Sequence, residues 1–173
     1  MKEASRRMAV CGMLAALSVV LMLLGSVFGV LIYVCPILAG LATHFVRTEH
    51  GFRYALTLFA ATGLVALMLV PDLEMTAIYL GVAGWYPAVK PSLDKLPRGV
   101  NWGSKLLLFN GAVVLAYRML MAVMGVDGTE LGAPWEWMLL LALGNLVFVL
   151  YDRALGRLTA RRMGQLFRHF LRH

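Results

Sequence analysis

The chain lacks the sequence motifs of the common membrane-associated enzymes. It has no H-E-x-x-H and no G-x-S-x-G, and Gly103-Ser104-Lys105 has neither the leading glycine nor the spacing of a Walker A loop. No Asp or Glu lies deep inside an apolar segment, so a carboxylate proton relay is not visible. These absences disfavour an enzyme, and we expect no catalytic residue, no cofactor and no metal site.

Charge and cysteine are also scarce. Only 14% of the 173 residues are charged, whereas 61% are hydrophobic. A soluble domain of this length has too little interior for so much apolar surface, so lipid is the expected solvent. The two cysteines, Cys11 and Cys35, lie inside apolar segments without His or Cys at metal-ligand spacing. The composition therefore predicts an all-α polytopic membrane protein.

Six apolar segments predict six transmembrane helices in a single integral membrane domain, 1–173. Because the basic start and first apolar run are followed by no signal-peptidase site, we expect an uncleaved first span. The fourth segment is the shortest and contains Gly81, Gly84 and Pro87. The predicted spans cover about 8–24, 30–46, 54–70, 75–89, 106–124 and 135–151, followed by a basic tail, 153–173.

The distribution of charge supports six spans with both termini in the cytoplasm of a cell-membrane protein. With that topology, 15 of the 16 Lys and Arg residues fall in inner segments, and the sixteenth is Arg118. The tail is predicted to form an amphipathic helix that lies on anionic lipid of the inner leaflet or docks onto a partner protein. The outer turns instead carry carboxylates, at Asp72, Glu74, Asp127, Glu130 and Glu136.

Arg118 is the only charge well inside an apolar segment, and such a residue needs a partner or a wet cavity. Two interpretations remain open. The guanidinium could reach outward to Glu136, Asp127 or Glu74 in a structural ion pair. Alternatively, it faces an outward-opening pocket that receives a carboxylate or phosphate of a solute.

Four further residues are candidates for substrate binding beside Arg118. Asn110 lies in the fifth span and Asn145 in the sixth, where an amide either joins two helices or contacts a ligand. Trp85 and Tyr86 lie near the inner end of the fourth span, where aromatic residues also serve as interfacial anchors.

The first span has a face of small residues, Ala9, Gly12 and Ala16, which permits close approach of another helix. That helix belongs either to this bundle or to a second membrane subunit. The opening sequence Arg6-Arg7-Met-Ala-Val-Cys-Gly-Met-Leu-Ala-Ala-Leu17, together with six spans, resembles the substrate-binding S component of energy-coupling factor (ECF) transporters. Gly12 and Ala16 match the small-residue motif of that family in spacing, with Gly in place of the more usual Ala.

The resemblance implies a substrate-capture subunit of an importer for a vitamin or other small micronutrient. A transmembrane T component and two cytoplasmic ATPases would be its partners, and the solute pocket would lie toward the outer side. The short outer loops, such as Pro71-Asp72-Leu73-Glu74, depart from the family pattern. A non-transport membrane scaffold similar to the rod-shape protein MreD is the alternative. It predicts an internally paired Arg118 and no cavity.

Overall fold

The predicted all-α class is confirmed by a computed structural model that describes the backbone of residues 2–124 and 134–170. No strand occurs in these two ranges. The chain divides into two compact units, Met1–Gly132 and Ala133–His173. Side chains are described throughout the two ranges except at 2–4, 30, 98, 120, 124, 134, 136, 137, 140 and 159–170.

The first unit contains most of the helices. It also contains a 3-10 turn, Gly29–Leu31, and a π-helix, Tyr79–Ala83. The α-helices are α1, Lys2–Val27; α2, Val34–His50; α3, Phe52–Leu69; α4, Leu73–Ile78; α5, Tyr86–Leu93; and α6, Arg98–Met124. The second unit contains α7, Pro134–Phe170.

Among the described residues, three helices are long and apolar enough to cross a membrane, which agrees with a membrane protein. They are Ser5–Val27 in α1, Phe52–Leu69 in α3 and Gly99–Val123 in α6. Each contains or overlaps a predicted span, but α6 begins eight residues before the predicted start of the fifth. That extension includes the polar residues Asn101, Ser104 and Lys105, and Lys105 is buried.

The fourth predicted span, 75–89, is an interrupted helix rather than a continuous one. The Asp72 side chain caps α4 by accepting hydrogen bonds from the backbone N–H groups of Glu74 and Met75, at 3.0 and 3.2 Å. One wide turn follows, in which Gly84 N–H donates to the Tyr79 carbonyl oxygen, five residues back, at 2.8 Å. We call residues 73–93 the interrupted segment.

Other boundaries also differ from the prediction. α1 continues through Gly25 to Val27, three residues beyond the predicted end of the first span. α2 begins at Val34 and runs to His50, four residues beyond the predicted end, because Gly51 terminates it with a φ of 95°. α7 continues without a break from the predicted sixth span into the tail, as far as Phe170. Residues 171–173 of that tail lie outside the described residues.

The core of the first unit lies where α1, α2, α3 and the interrupted segment meet. One apolar cluster contains Met22, Cys35, Ala39, Ala66, Val70, Met75 and Tyr79. A second contains Cys11, Val46, Ala55, Leu58 and Ala88. Because both clusters include residues of the interrupted segment or its flanks, its position is fixed by packing against α2 and α3.

Candidate functional site

Glycines let the interrupted segment approach α3 closely. A Cβ atom on Gly84 would lie 2.6 Å from Phe59 Cδ2 and 2.8 Å from Tyr79 Cζ. A Cβ on Gly63 of α3 would lie 2.6 Å from Leu80 Cδ2. The rings of Phe59 and Tyr79 stack at a tilt with their centroids 5.8 Å apart. The π-helix is therefore held against α3 by contacts that a larger side chain would obstruct.

Three hydroxyl groups meet where the π-helix packs on α2 and α3. Thr43 of α2, Thr62 of α3 and Tyr79 of the π-helix are each 0% exposed. The Tyr79 hydroxyl lies beside those of Thr62 and Thr43. Within residues 2–124 and 134–170, none of the three oxygens has a hydrogen-bond partner of ordinary geometry. The site is polar, uncharged and enclosed.

A charged cluster lies at the other end of the interrupted segment. The Asp94 carboxylate pairs with Lys90 of α5, at 3.1 Å, and with Lys105 of α6. Both lysine side chains are almost completely buried, whereas Asp94 is 41% exposed. Arg47 of α2 donates through Nε to the Ala88 carbonyl oxygen at 2.9 Å. These contacts fasten the interrupted segment to α2 and α6.

Trp85 and Tyr86, both predicted to bind substrate, occupy the junction between the π-helix and α5. The Trp85 indole Nε1–H donates to the Gly81 carbonyl oxygen at 2.6 Å, and this bond satisfies a carbonyl inside the wide turn. Tyr86 is buried, with its ring edge-on to that of Trp85 at 6.4 Å. In the described structure they stabilise the interruption, and their contact with a solute stays a prediction.

Arg118 lies on the side of α6 that faces away from the interrupted segment. The packed side of α6 is marked by Ala116, because a Cβ on Gly81 would lie 3.0 Å from Ala116 Cβ. Arg118 is two residues further on, about 200° around the helix, and its side chain is exposed. The first unit therefore does not bring Arg118 together with Trp85 and Tyr86.

The structure describes only some of the carboxylates that were proposed to pair with Arg118. Glu74 is described, and its Oε1 accepts a hydrogen bond from the Tyr33 hydroxyl at 2.7 Å. Among the described side chains, no carboxylate pairs with Arg118. The side chains of Asp127 and Glu136 lie outside the described residues. Both interpretations of Arg118 stay predictions.

The two asparagines make local hydrogen bonds. Asn110 Nδ2 donates to the Leu106 carbonyl oxygen at 2.8 Å, one turn earlier in α6. In the second unit, Asn145 Nδ2 donates to the Leu141 carbonyl oxygen, also at 2.8 Å. Their proposed contact with a solute stays a prediction.

The small-residue face of α1 points away from the core of the first unit. Ala9, Gly12 and Ala16 are exposed, and a Cβ on Gly12 would meet nothing within 4 Å. The opposite side of the helix is buried through residues such as Cys11 and Met22. The small face is thus available to a neighbouring molecule, lipid or protein.

Sequence reasoning did not find the hydroxyl cluster. Thr43, Thr62 and Tyr79 come from three separate helices and form no spacing motif, so their meeting depends on how those helices pack. Gly81 and Gly84, in the shortest apolar segment, could have indicated this region, because interrupted helices line binding sites in membrane proteins.

No family model, curated protein or solved structure matches this chain. Among the residues that the structure describes, no group of three or more His, Cys, Asp or Glu side chains could hold a metal ion. Function is therefore inferred from the chain's own residues.

Proposed function

We propose that this chain is the substrate-capture subunit of an ECF-type importer for a vitamin or other small micronutrient. In this proposal the chain crosses the cell membrane six times, with both termini in the cytoplasm. It binds the solute on its outer side, and partner ATPases supply the energy. The observation that carries the proposal is the exposed small-residue face of α1.

The argument for a partner on α1 comes from the two sides of that helix. The side that contains Cys11 and Met22 packs into the core, whereas Ala9, Gly12 and Ala16 are exposed. Lipid gives little reason to place small residues on an exposed face, since larger apolar side chains suit it equally well. A second transmembrane helix does, because small residues let two backbones approach and pack closely.

The proposed solute is anionic, and Arg118 is the residue proposed to receive it. Asn110, Asn145, Trp85 and Tyr86 are retained as further substrate-binding residues. An exposed arginine in an apolar helix requires a polar interaction partner, and a carboxylate or phosphate of a solute would be such a partner. Anionic lipid is proposed to bind the basic tail.

Co-purification with the T component and the two ATPases tests the proposed assembly. We expect the wild-type chain to form a stable complex with them in mild detergent, and the Gly12→Ile variant to lose it. Gly103→Ile is the matched control, because a Cβ on exposed Gly103 also meets nothing within 4 Å. Both variants should fold, so loss of the complex by Gly12→Ile alone supports a T-component contact on α1.

A wild-type chain that folds but binds neither the T component nor the ATPases contradicts the proposal. That result, together with no thermal stabilisation by any anionic micronutrient, would favour the MreD-like scaffold. Equal complex formation by wild type and Gly12→Ile would remove the small face of α1 from the interface.

A further inference from the structure

We propose that the basic residues at the ends of α2 and α5 form a binding site for the headgroup of an anionic lipid, and that Arg47 receives the lipid phosphate. The site belongs to the first unit and is separate from the basic tail. It does not depend on transport, but it takes the cytoplasmic placement of these residues from the proposed topology.

The Arg47 guanidinium is held in place by contacts with two other helices. Its Nε donates to the Ala88 carbonyl oxygen at 2.9 Å, and its Nη2 donates to Ser92 Oγ at 3.4 Å. Its Cζ lies 5.4 Å from the centroid of the Phe52 ring, which is a cation–π contact. The side chain is also partly buried, so its position is largely ordered before any ligand binds.

Arg47 retains donors that no described residue uses. The two hydrogen bonds occupy two of the five N–H groups of a guanidinium. Among the side chains that the structure describes, no carboxylate pairs with Arg47. A planar guanidinium with unused N–H groups matches two oxygens of a phosphate, which it binds bidentately.

Two further cations flank Arg47. Lys95 lies in the turn after α5, where its backbone N–H donates to the Ser92 carbonyl oxygen at 3.4 Å. Arg53 follows Phe52 in the first turn of α3. Both of these side chains are exposed, and neither pairs with a described carboxylate. They add to the positive potential around the Arg47 guanidinium.

The acidic residues of this region do not neutralise the three cations. Asp94, beside Lys95, is already paired with Lys90 and Lys105. Glu49, in the last turn of α2, is exposed and forms no salt bridge with any of the three. The charge distribution therefore favours an anion as the ligand.

Exposed apolar side chains beside the cations favour a lipid over a soluble anion. Phe52, whose ring contacts Arg47, is 43% exposed, and Leu96, which follows Lys95, is 40% exposed. A lipid would place its phosphate at Arg47 and its acyl chains against such apolar side chains, whereas inorganic phosphate would use the cations alone. Basic pockets between helices on the cytoplasmic side of a membrane bind the headgroups of anionic lipids.

Lipid-dependent changes in the Tm of the full chain in a non-ionic detergent test the site. We expect dioleoyl phosphatidylglycerol to raise the Tm by about 3–6 °C when its free concentration is roughly ten times its Kd. Dioleoyl phosphatidylcholine, which has the same acyl chains but no net charge, should raise it by less than about 1 °C. Equal shifts with the two lipids would overturn the proposal.

Variants of Arg47 assign the effect to this site. In Arg47→Gln the difference between the two lipids should fall by about half or more, and Arg47→Lys should give an intermediate difference, because it keeps the charge but not the bidentate fork. Each variant is compared with itself in the presence and absence of lipid, so a change in its basal stability does not enter the result. An Arg47→Gln difference equal to that of wild type would place lipid binding elsewhere, such as the basic tail, and overturn the proposal.

Arg6→Gln is the matched control, because it removes the same charge from an exposed position of α1. It should keep the full difference between the two lipids, and a loss as large as that of Arg47→Gln would show that net charge alone is responsible. If Arg47→Gln does not fold, the double variant Arg53→Gln, Lys95→Gln takes its place, since both positions are exposed. It should lose part of the difference, and no loss would contradict the proposal.

Inorganic phosphate separates a lipid site from a site for a soluble anion. Sodium phosphate, compared with sodium chloride at equal ionic strength, should leave the Tm within about 1 °C. A phosphate-specific increase as large as that given by phosphatidylglycerol, and lost in Arg47→Gln, would identify a soluble anion and overturn the lipid site. None of these measurements contains the T component, the ATPases or a solute, so their failure would leave the proposed transport function untouched.

Discussion

The interrupted segment and α6 are both apolar and glycine-containing, yet they use glycine in opposite ways. In the interrupted segment, added Cβ atoms at Gly81 and Gly84 would run into neighbouring helices. In α6, Cβ atoms on Gly103 and Gly111 would meet nothing within 4 Å, and large residues such as Leu107, Leu115 and Met119 are exposed. The same residue type marks a close contact in one region and an open face in the other.

Replacing a glycine of each region by a larger residue should give the largest difference in the free energy of unfolding. We expect Gly84→Val to reduce the free energy of unfolding by about 3 kcal/mol, or to prevent folding, because the new atoms overlap the Phe59 and Tyr79 rings. Gly111→Val in α6 should be neutral or slightly stabilising, since valine is a better helix former than glycine. Thermal unfolding of both variants in detergent measures the contrast. Equal losses would show that open space around Gly111 does not protect that site.

Removing the Asp94 charge, which pairs with a lysine of each region, should have the next largest effect on stability. Asp94→Asn leaves Lys90 and Lys105, both nearly buried, without that carboxylate. Breaking a fully buried pair costs several kcal/mol, but Asp94 is 41% exposed, so we expect about 1–2 kcal/mol. Lys95→Gln, at a neighbouring exposed position, is the control for general charge loss. An Asp94→Asn protein as stable as that control would contradict a role for the pair in fastening α5 to α6.

A smaller effect is expected at the beginning of α4. Tyr33→Phe removes the 2.7 Å hydrogen bond to Glu74, which links the start of α2 to the first turn of α4. Because both groups are exposed, water replaces much of the lost bond, and we expect a loss of about 0.5 kcal/mol. Tyr54→Phe, in the first turn of α3, is the comparison variant. A loss above 2 kcal/mol would mean that the α4 end of the interrupted segment depends on this bond.

The smallest effect on stability is expected for Arg118, on the open side of α6. Arg118→Gln should change the free energy of unfolding by less than about 0.5 kcal/mol, because the side chain is exposed and the substitution leaves the helix core intact. The same variant should lose thermal stabilisation by carboxylate- or phosphate-bearing vitamins, whereas Arg118→Lys should retain part of it. A response to such a ligand that Arg118→Gln leaves unchanged would remove Arg118 from the solute site.

The helical class and most segment positions could be predicted because apolar runs and their interruptions can be recognised from the residue types alone. Gly81, Gly84 and Pro87 indicated an unusual fourth segment, but not a π-helix. The wide turn depends on which carbonyl the Gly84 N–H bonds, and that choice is set by packing against Phe59 and Tyr79. Periodicity does not report such a contact.

The candidate site was less predictable than the fold. Arg118 stands out because its charge is improbable in an apolar segment, so sequence reasoning centred on it. Thr43 and Tyr79 are ordinary residues in helices, and their importance comes only from burial at a shared point. Charge is visible in a sequence, whereas convergence of neutral polar groups requires the relative rotation of three helices.

Gly51 joins two of these three helices by the shortest possible link. It is the only residue with a positive φ, 95°, in residues 2–124 and 134–170, and it alone separates the end of α2 from the start of α3. An insertion or deletion of one residue within α3, between Gly51 and Thr62, would turn Thr62 by about 100° around the helix axis and carry it away from Thr43. Evolutionary changes of chain length should therefore be excluded from the stretch between Thr43 and Thr62.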